Sequence, residues 1–142
     1  MIILDASILL YAYDSTSSGH RRALNWLEQV LSSGTPVGLP WQTAGAFLKI
    51  VTSPALTGER FTPEEAARII DQWLEQPNVR FLGPGENHWS TLRHMIVDGK
   101  ATGAHIADAQ LAALTIEYGG VLQTTDHQFS RFPGLRWINP LA

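Results

Sequence analysis

Three aspartates, Asp5, Asp108 and Asp126, are the side chains of this 142-residue sequence whose type and placement could do chemistry together. Asp5 directly follows the apolar run Met1 to Leu4, and Asp126 follows Val121-Leu122-Gln123-Thr124-Thr125. Asp108 falls in the first turn of a strongly apolar helical segment just before that second run. If the two runs are strands of one parallel sheet, all three carboxylates lie along its carboxyl edge, where open α/β sheets keep their reactive ground. Carboxylates a few ångströms apart resist ionising together, and a divalent cation removes that penalty. Mg²⁺ or Mn²⁺ suits oxygen-only ligands, keeps several waters, and can polarise a phosphate oxygen while activating a water for attack. Phosphodiester hydrolysis is the reaction this combination serves best.

Each aspartate also has an ordinary explanation. Asp5 could cap a helix beginning at Ala6-Ser7, Asp108 could be a favourable charge at a helix start, and Asp126 could make an Asx-turn. Spacing alone leaves both readings open.

The elements that must position these acids follow from hydrophobic periodicity. Met1 to Leu4 reads as a buried strand. Ala23, Leu24, Leu27, Val30 and Leu31 make His20 to Leu31 an amphipathic helix that ends near Ser32-Ser33-Gly34. Pro36 to Leu39 is a short strand and Trp41 to Val51 a helix. Thr62-Pro63-Glu64-Glu65 offers a capping hydroxyl, a proline at the first helical position and a glutamate at the third. The helix it opens runs to about Glu75, with Ile69, Ile70, Trp73 and Leu74 facing inwards. Val79 to Leu82 is a strand, Asn87 to Val97 a helix, His105 to Tyr118 a helix stopped by Gly119-Gly120, and Val121 to Thr124 a strand. Leu135 to Ile138 closes the set. Strands separated by helices of this length imply parallel pairing, so the expected fold is a three-layer α/β/α sandwich with a central, mostly parallel sheet. The length and the 44% hydrophobic content fit one domain, residues 1–142.

Composition removes other classes. With no cysteine there is neither a disulfide framework nor a thiolate zinc site. The five histidines form no HExxH pattern and are expected at the surface or as caps. There is no GxxxxGK[ST], GxGxxG or GxSxG, which excludes nucleotide-loop and serine-hydrolase readings. The formal charge of −3 argues against a general nucleic-acid-binding module, though not against a nuclease whose acidic centre is inverted by bound cations. The scattered basic residues, among them Lys49, Arg60, Lys100 and Arg131, read as solvated helix faces or phosphate contacts. The five tryptophans, at 26, 41, 73, 89 and 137, are expected mostly in the core. No leader pattern and no membrane-spanning apolar run is evident, so a cytoplasmic location is expected.

Several stretches carry a family resemblance. The opening Ile3-Leu4-Asp5-Ala6-Ser7-Ile8-Leu9-Leu10-Tyr11-Ala12 resembles that of PIN domains of the VapC type. So do Gly38-Leu39-Pro40-Trp41 with Phe47-Leu48-Lys49-Ile50-Val51-Thr52, and Ala107-Asp108-Ala109-Gln110-Leu111. The ending, Thr125-Asp126-His127-Gln128-Phe129 with Phe132-Pro133-Gly134-Leu135-Arg136-Trp137, is similar to that of a VapC subgroup abundant in mycobacteria and related bacteria. The resemblance spans essentially the whole chain in order. It implies a PIN fold and a divalent-metal endoribonuclease, the toxin of a toxin–antitoxin pair, inhibited by a VapB-type antitoxin and commonly homodimeric. Asp5, Asp108 and Asp126 match three of the family's acidic metal-site residues, with Ser7 and Thr125 beside two of them, placed to orient carboxylates or waters.

Two positions depart from the family pattern. Many relatives carry glutamate immediately before the Phe of the Phe-Leu-(Arg/Lys) stretch; here that residue is Ala46, and no acid occurs from Trp41 to Pro54. Ala104 stands where the family often has Asn. A catalytically impaired PIN module that binds RNA or a partner protein is therefore the second expectation. A phospho-acceptor domain is disfavoured: Asp5 has no acidic neighbour, and no lysine follows Lys100.

Overall fold

The computed structural model describes residues 1–53 and 60–142; Pro54, which ends the acid-free stretch, lies outside them. Five parallel strands, β1 (Ile2–Leu4), β2 (Val37–Pro40), β3 (Val79–Leu82), β4 (Val121–Gln123) and β5 (Trp137–Ile138), form one sheet in the order β3-β2-β1-β4-β5. Among the described residues, six α-helices connect them: α1 (Ala6–Tyr13), α2 (His20–Ser32), α3 (Trp41–Val51), α4 (Pro63–Leu74), α5 (His88–Asp98) and α6 (His105–Glu117). The order of the strands changes direction at β1, and the parallel pairing of β1 with β4 sets their carboxyl ends side by side.

Side-chain alternation along the strands splits the core in two. Leu4 packs with α1 to α4 through Ile8, Leu9, Leu27, Phe47, Ile70 and Trp73. Its neighbour Ile3 points the other way and packs with α5 and α6 through Leu92, Met95, Ala109, Ala112 and Ala113. The result is the expected helix–sheet–helix sandwich. Thr62 and Glu65 form the capping box read from the sequence, with Glu65 N donating to Thr62 Oγ1 at 3.1 Å and Thr62 N to Glu65 Oε1 at 3.0 Å. Among the described residues, no helix is long and apolar enough to cross a membrane.

The tryptophans correct an expectation. Trp73 is core at 2% exposure, but Trp41 and Trp89 are 60% and 65% exposed. Trp41 lies flat on Phe81, with ring centroids 3.7 Å apart, so an aromatic neighbour on β3 and not the core accounts for its position.

The Gly119-Gly120 pair ends α6 for two separate reasons. Gly119 takes φ +61°, a left-handed turn that glycine adopts without strain. Gly120 is required for space: a Cβ there would stand 2.5 Å from Ile3 Cδ1 and 3.0 Å from the Met1 carbonyl. Ile3 is fully buried and has nowhere to retreat. Gly120→Ala should therefore lower stability by about 1–3 kcal/mol, the usual cost of overpacking a filled core, read as a lower midpoint in urea denaturation.

Candidate active site at the carboxyl edge of the sheet

Asp5 leaves β1 in extended conformation (φ −89°, ψ 153°) and caps α1, its Oδ1 accepting from Ala6 N at 2.8 Å. The cap reading of Asp5 is therefore realised, but the side chain does more. Its Oδ2 accepts hydrogen bonds from Ser7 Oγ at 2.8 Å and from Thr124 Oγ1 at 2.7 Å. Pairing of Leu4 with Gln123 in neighbouring strands puts Thr124 alongside Asp5, and Asp5 N closes the register on the Gln123 carbonyl at 3.1 Å. Both hydroxyls are in turn acceptors. Thr125 N donates to Ser7 Oγ at 3.1 Å, and Asp126 N donates to Thr124 Oγ1 at 3.0 Å. Each hydroxyl proton is thereby directed to Asp5, and the chain after β4 is fastened to the start of α1.

Asp126 follows immediately, and its Oδ1 accepts from Gln128 N at 2.9 Å, capping a 3₁₀ turn over His127–Arg131. The Asx-turn reading thus holds for its backbone role as well. Asp108 sits in the first turn of α6, with Oδ2 3.3 Å from His105 Nδ1. Burial raises the Asp108 carboxyl above the usual aspartate range; the hydrogen bond from His105 opposes this, and the charges of Asp126 and Asp5 push it further up. That mutual repulsion is the electrostatic sign of three carboxylates facing one region. Two side chains of α3 lock the surroundings: Thr43 Oγ1 donates to the Leu4 carbonyl at 2.8 Å, and Gln42 Nε2 to the Ala107 carbonyl at 3.1 Å.

All three predicted acids thus lie at the sheet's carboxyl edge, with Ser7 on Asp5. Thr125 requires a correction: it contributes its backbone N–H to Ser7, while the hydroxyl that reaches Asp5 belongs to Thr124. Sequence reading had missed Thr124, His105 and Gln42. A hydroxyl two residues before Asp126, placed to accept its N–H in a local turn, was the available signal for Thr124. Ala104 occupies the N-cap of α6 and makes no side-chain cap, so the polar contact expected of Asn is indeed missing. Ala46 lies one turn beyond Gln42 on α3 and offers no oxygen.

The donor set is chemically suited to a hard divalent cation, being carboxylate oxygens whose mutual repulsion is already felt at Asp108. Among the described residues, no group of three or more His, Cys, Asp or Glu side chains is disposed to hold a metal ion as it stands. The carboxylates fit such an ion in kind.

Thr124 is where the support can be probed. Thr124→Val keeps the shape and removes the proton given to Asp5; if Asp5 holds a divalent ion, the affinity for Mn²⁺ should fall about 10–100-fold, as for other ligand-orienting partners, read by calorimetric titration of the protein with Mn²⁺.

Three comparisons agree on the family and the fold of this chain. A family model for the PIN domain matches residues 2–135. The chain is 36% identical over 143 residues to ribonuclease VapC37 of Mycobacterium tuberculosis, covering 100% of this chain and 99% of that one. Among solved structures it is similar to VapC20 of M. tuberculosis, described as a sarcin–ricin loop cleaving toxin, with TM-score 0.67 and 16% identity over 96% of this chain and 99% of that one. VapBC-1 from nontypeable Haemophilus influenzae gives TM-score 0.70 and 18% identity over 100% of both chains. The chain belongs to the PIN-domain family, among the VapC ribonucleases.

Proposed function

We propose that this chain, as a single PIN domain, is a divalent-cation-dependent endoribonuclease and the toxin of a type II toxin–antitoxin pair. The observation that carries the reading is the placement of Asp5, Asp108 and Asp126 at the carboxyl edge of one sheet, where burial raises the Asp108 carboxyl and the charges of Asp126 and Asp5 add to it. Full-length similarity to VapC ribonucleases supports the substrate class.

In this reading Asp5, Asp108 and Asp126 hold Mg²⁺ or Mn²⁺. When bound, such an ion stabilises charge on the phosphate and lowers the pKa of its water towards neutrality. Ser7 and Thr124 hold the Asp5 carboxylate in one orientation, with the Thr125 and Asp126 N–H groups fixing those hydroxyls. His105 restrains Asp108 on the facing helix. The expected partner is a VapB-type antitoxin, supported by similarity in fold to VapBC assemblies; a basic side chain in the acidic cleft, or a helix along the apolar grooves, would silence the enzyme. Homodimerisation and a cytoplasmic location complete the proposal.

Purified protein should cleave RNA with Mg²⁺ or Mn²⁺, stop on chelation with EDTA, and recover when the ion is restored. Cleavage that persists in EDTA would overturn the metal reading. A second reading, an impaired module that only binds RNA or a partner, is favoured by Ala46 and by the absence of a closed ligand group among the described residues. Binding without cleavage under any divalent ion would decide for it.

A further inference from the structure

A cavity of about 300 Å³ opens directly beside the acidic site and shares two of its residues, Ser7 and Thr125. Ser7 is the residue whose hydroxyl sits on Asp5, so anything bound at the carboxylates is an immediate neighbour of whatever enters the cavity. The rest of the lining is mainly aromatic and aliphatic, from Tyr11 and Tyr13 of α1, Ile50 of α3, and Phe61. Tyr11 and Ile50 are 39% and 38% exposed, so part of this apolar lining is open to solvent.

These walls are held in place. Tyr13 Oη accepts a hydrogen bond from Trp73 Nε1 at 3.0 Å, and its ring meets Phe47 and Phe61 edge-on at 5.6 and 6.5 Å. Tyr11 is seated beside Gly19: a Cβ there would lie 3.4 Å from its ring. Among the described residues, the charged one of the lining is Asp14, whose Oδ1 accepts from Thr16 N at 3.0 Å and Thr16 Oγ1 at 2.6 Å.

The geometry points to a nucleobase subsite: the cavity takes the base of a nucleotide adjacent to the scissile phosphate, stacked on Tyr11. This rests on the ribonuclease reading above and deepens it. A phosphate is excluded from the cavity by Asp14 and by the apolar walls, whereas a flat, neutral ring bearing N–H groups is complementary to both. The volume is at the lower end for ligand pockets and suits one ring system. A partner helix spreads its anchors over two turns, at i, i+3, i+4 and i+7, whereas this cavity is sized for one ring system. Sequence-specific RNA recognition commonly splays a single-stranded base onto an aromatic face in this way.

The test uses an RNA oligonucleotide that the full-length protein cleaves, with an abasic residue placed in turn at each position flanking the cleavage site. One abasic position should slow cleavage about tenfold or more, the usual weight of a base–aromatic stack. Tyr11→Leu, which keeps apolar bulk without the π face, should slow cleavage of the intact RNA similarly and leave that abasic RNA unaffected. Tyr11→Phe should behave as the unaltered protein. Equal rates for all abasic positions would overturn the subsite, as would a Tyr11→Leu effect of the same size on intact and abasic RNA. So would a Tyr11→Leu variant with normal RNA cleavage that has lost only antitoxin binding. If no RNA is cleaved, the ribonuclease reading fails on its own. Fluorescence anisotropy of the same oligonucleotides then decides the subsite, an intact-over-abasic preference that Tyr11→Leu removes supporting it and equal binding overturning it.

Discussion

Replacing Asp108 by Asn is expected to raise the thermal stability of the metal-free protein at neutral pH while reducing RNA cleavage on the order of 10³-fold. The two effects have one cause. Burial, with the charges of Asp126 and Asp5, raises the Asp108 carboxyl, so the folded state binds its proton more tightly than the unfolded chain does. For an acid shifted in that direction, the favourable contribution is complete below the ordinary aspartate pKa and is lost as pH rises through the raised value. At neutral pH the ionised group therefore opposes folding. Asn is neutral throughout, can still accept the bond from His105, and removes the opposition. The stability gain should shrink as the medium is acidified and Asp108 in the unaltered protein regains its proton. Adding Mg²⁺ should stabilise the unaltered protein and have little effect on the variant. If Asp108 holds the ion as proposed, its loss forfeits several kcal/mol of charge stabilisation, and each ~1.4 kcal/mol is tenfold in rate, which sets the size of the activity loss. Melting curves against pH, with EDTA and with Mg²⁺, check the first half; an unchanged or lowered melting temperature in EDTA at neutral pH would contradict the electrostatic account.

Sequence and structure agree best where local chemistry decides the outcome. The capping box at Thr62 and Glu65 and the glycine stop after Glu117 are local events, and helix ends read from them fall within a residue of those observed. The acids were legible for a related reason: an aspartate ending a buried strand of a parallel sheet has one edge to occupy. α1 was legible only as the ordinary explanation of Asp5, and the structure shows that cap and site are the same side chain.

What escaped depends on partners far along the chain. Thr124 and Thr125 are chemically alike, and the pleat of β4 against β1 determines which hydroxyl meets Asp5. His88 and Glu117, 2.5 Å apart and largely buried, tie the start of α5 to the end of α6, yet neither residue's neighbours in sequence foretell the pairing. Trp41 likewise lies outside the core because β3 offers Phe81 as a stacking surface, and that adjacency exists only after the sheet has formed.

Asp5→Asn should abolish cleavage as thoroughly as the change at position 108 but move stability the opposite way, lowering it by about 1–3 kcal/mol, the cost of leaving a buried polar partner unsatisfied. Asn is itself a good helix N-cap and can keep the contact with Ala6 N. The other side of the carboxylate has no such substitute. Oδ2 receives two hydroxyl protons, from Ser7 and Thr124, and those oxygens already accept the N–H groups of Thr125 and Asp126. An amide Nδ2 in its place would present hydrogens to two donors, forcing at least one hydroxyl to turn away and loosening the link between the end of β4 and the start of α1. Asp5, hydrogen-bonded through both oxygens, thus supports the fold, whereas Asp108, raised by burial and then by the charges of its neighbours, opposes it. Equal melting-temperature shifts of the same sign for Asp5→Asn and Asp108→Asn in EDTA would show that this division of labour between the two carboxylates is wrong.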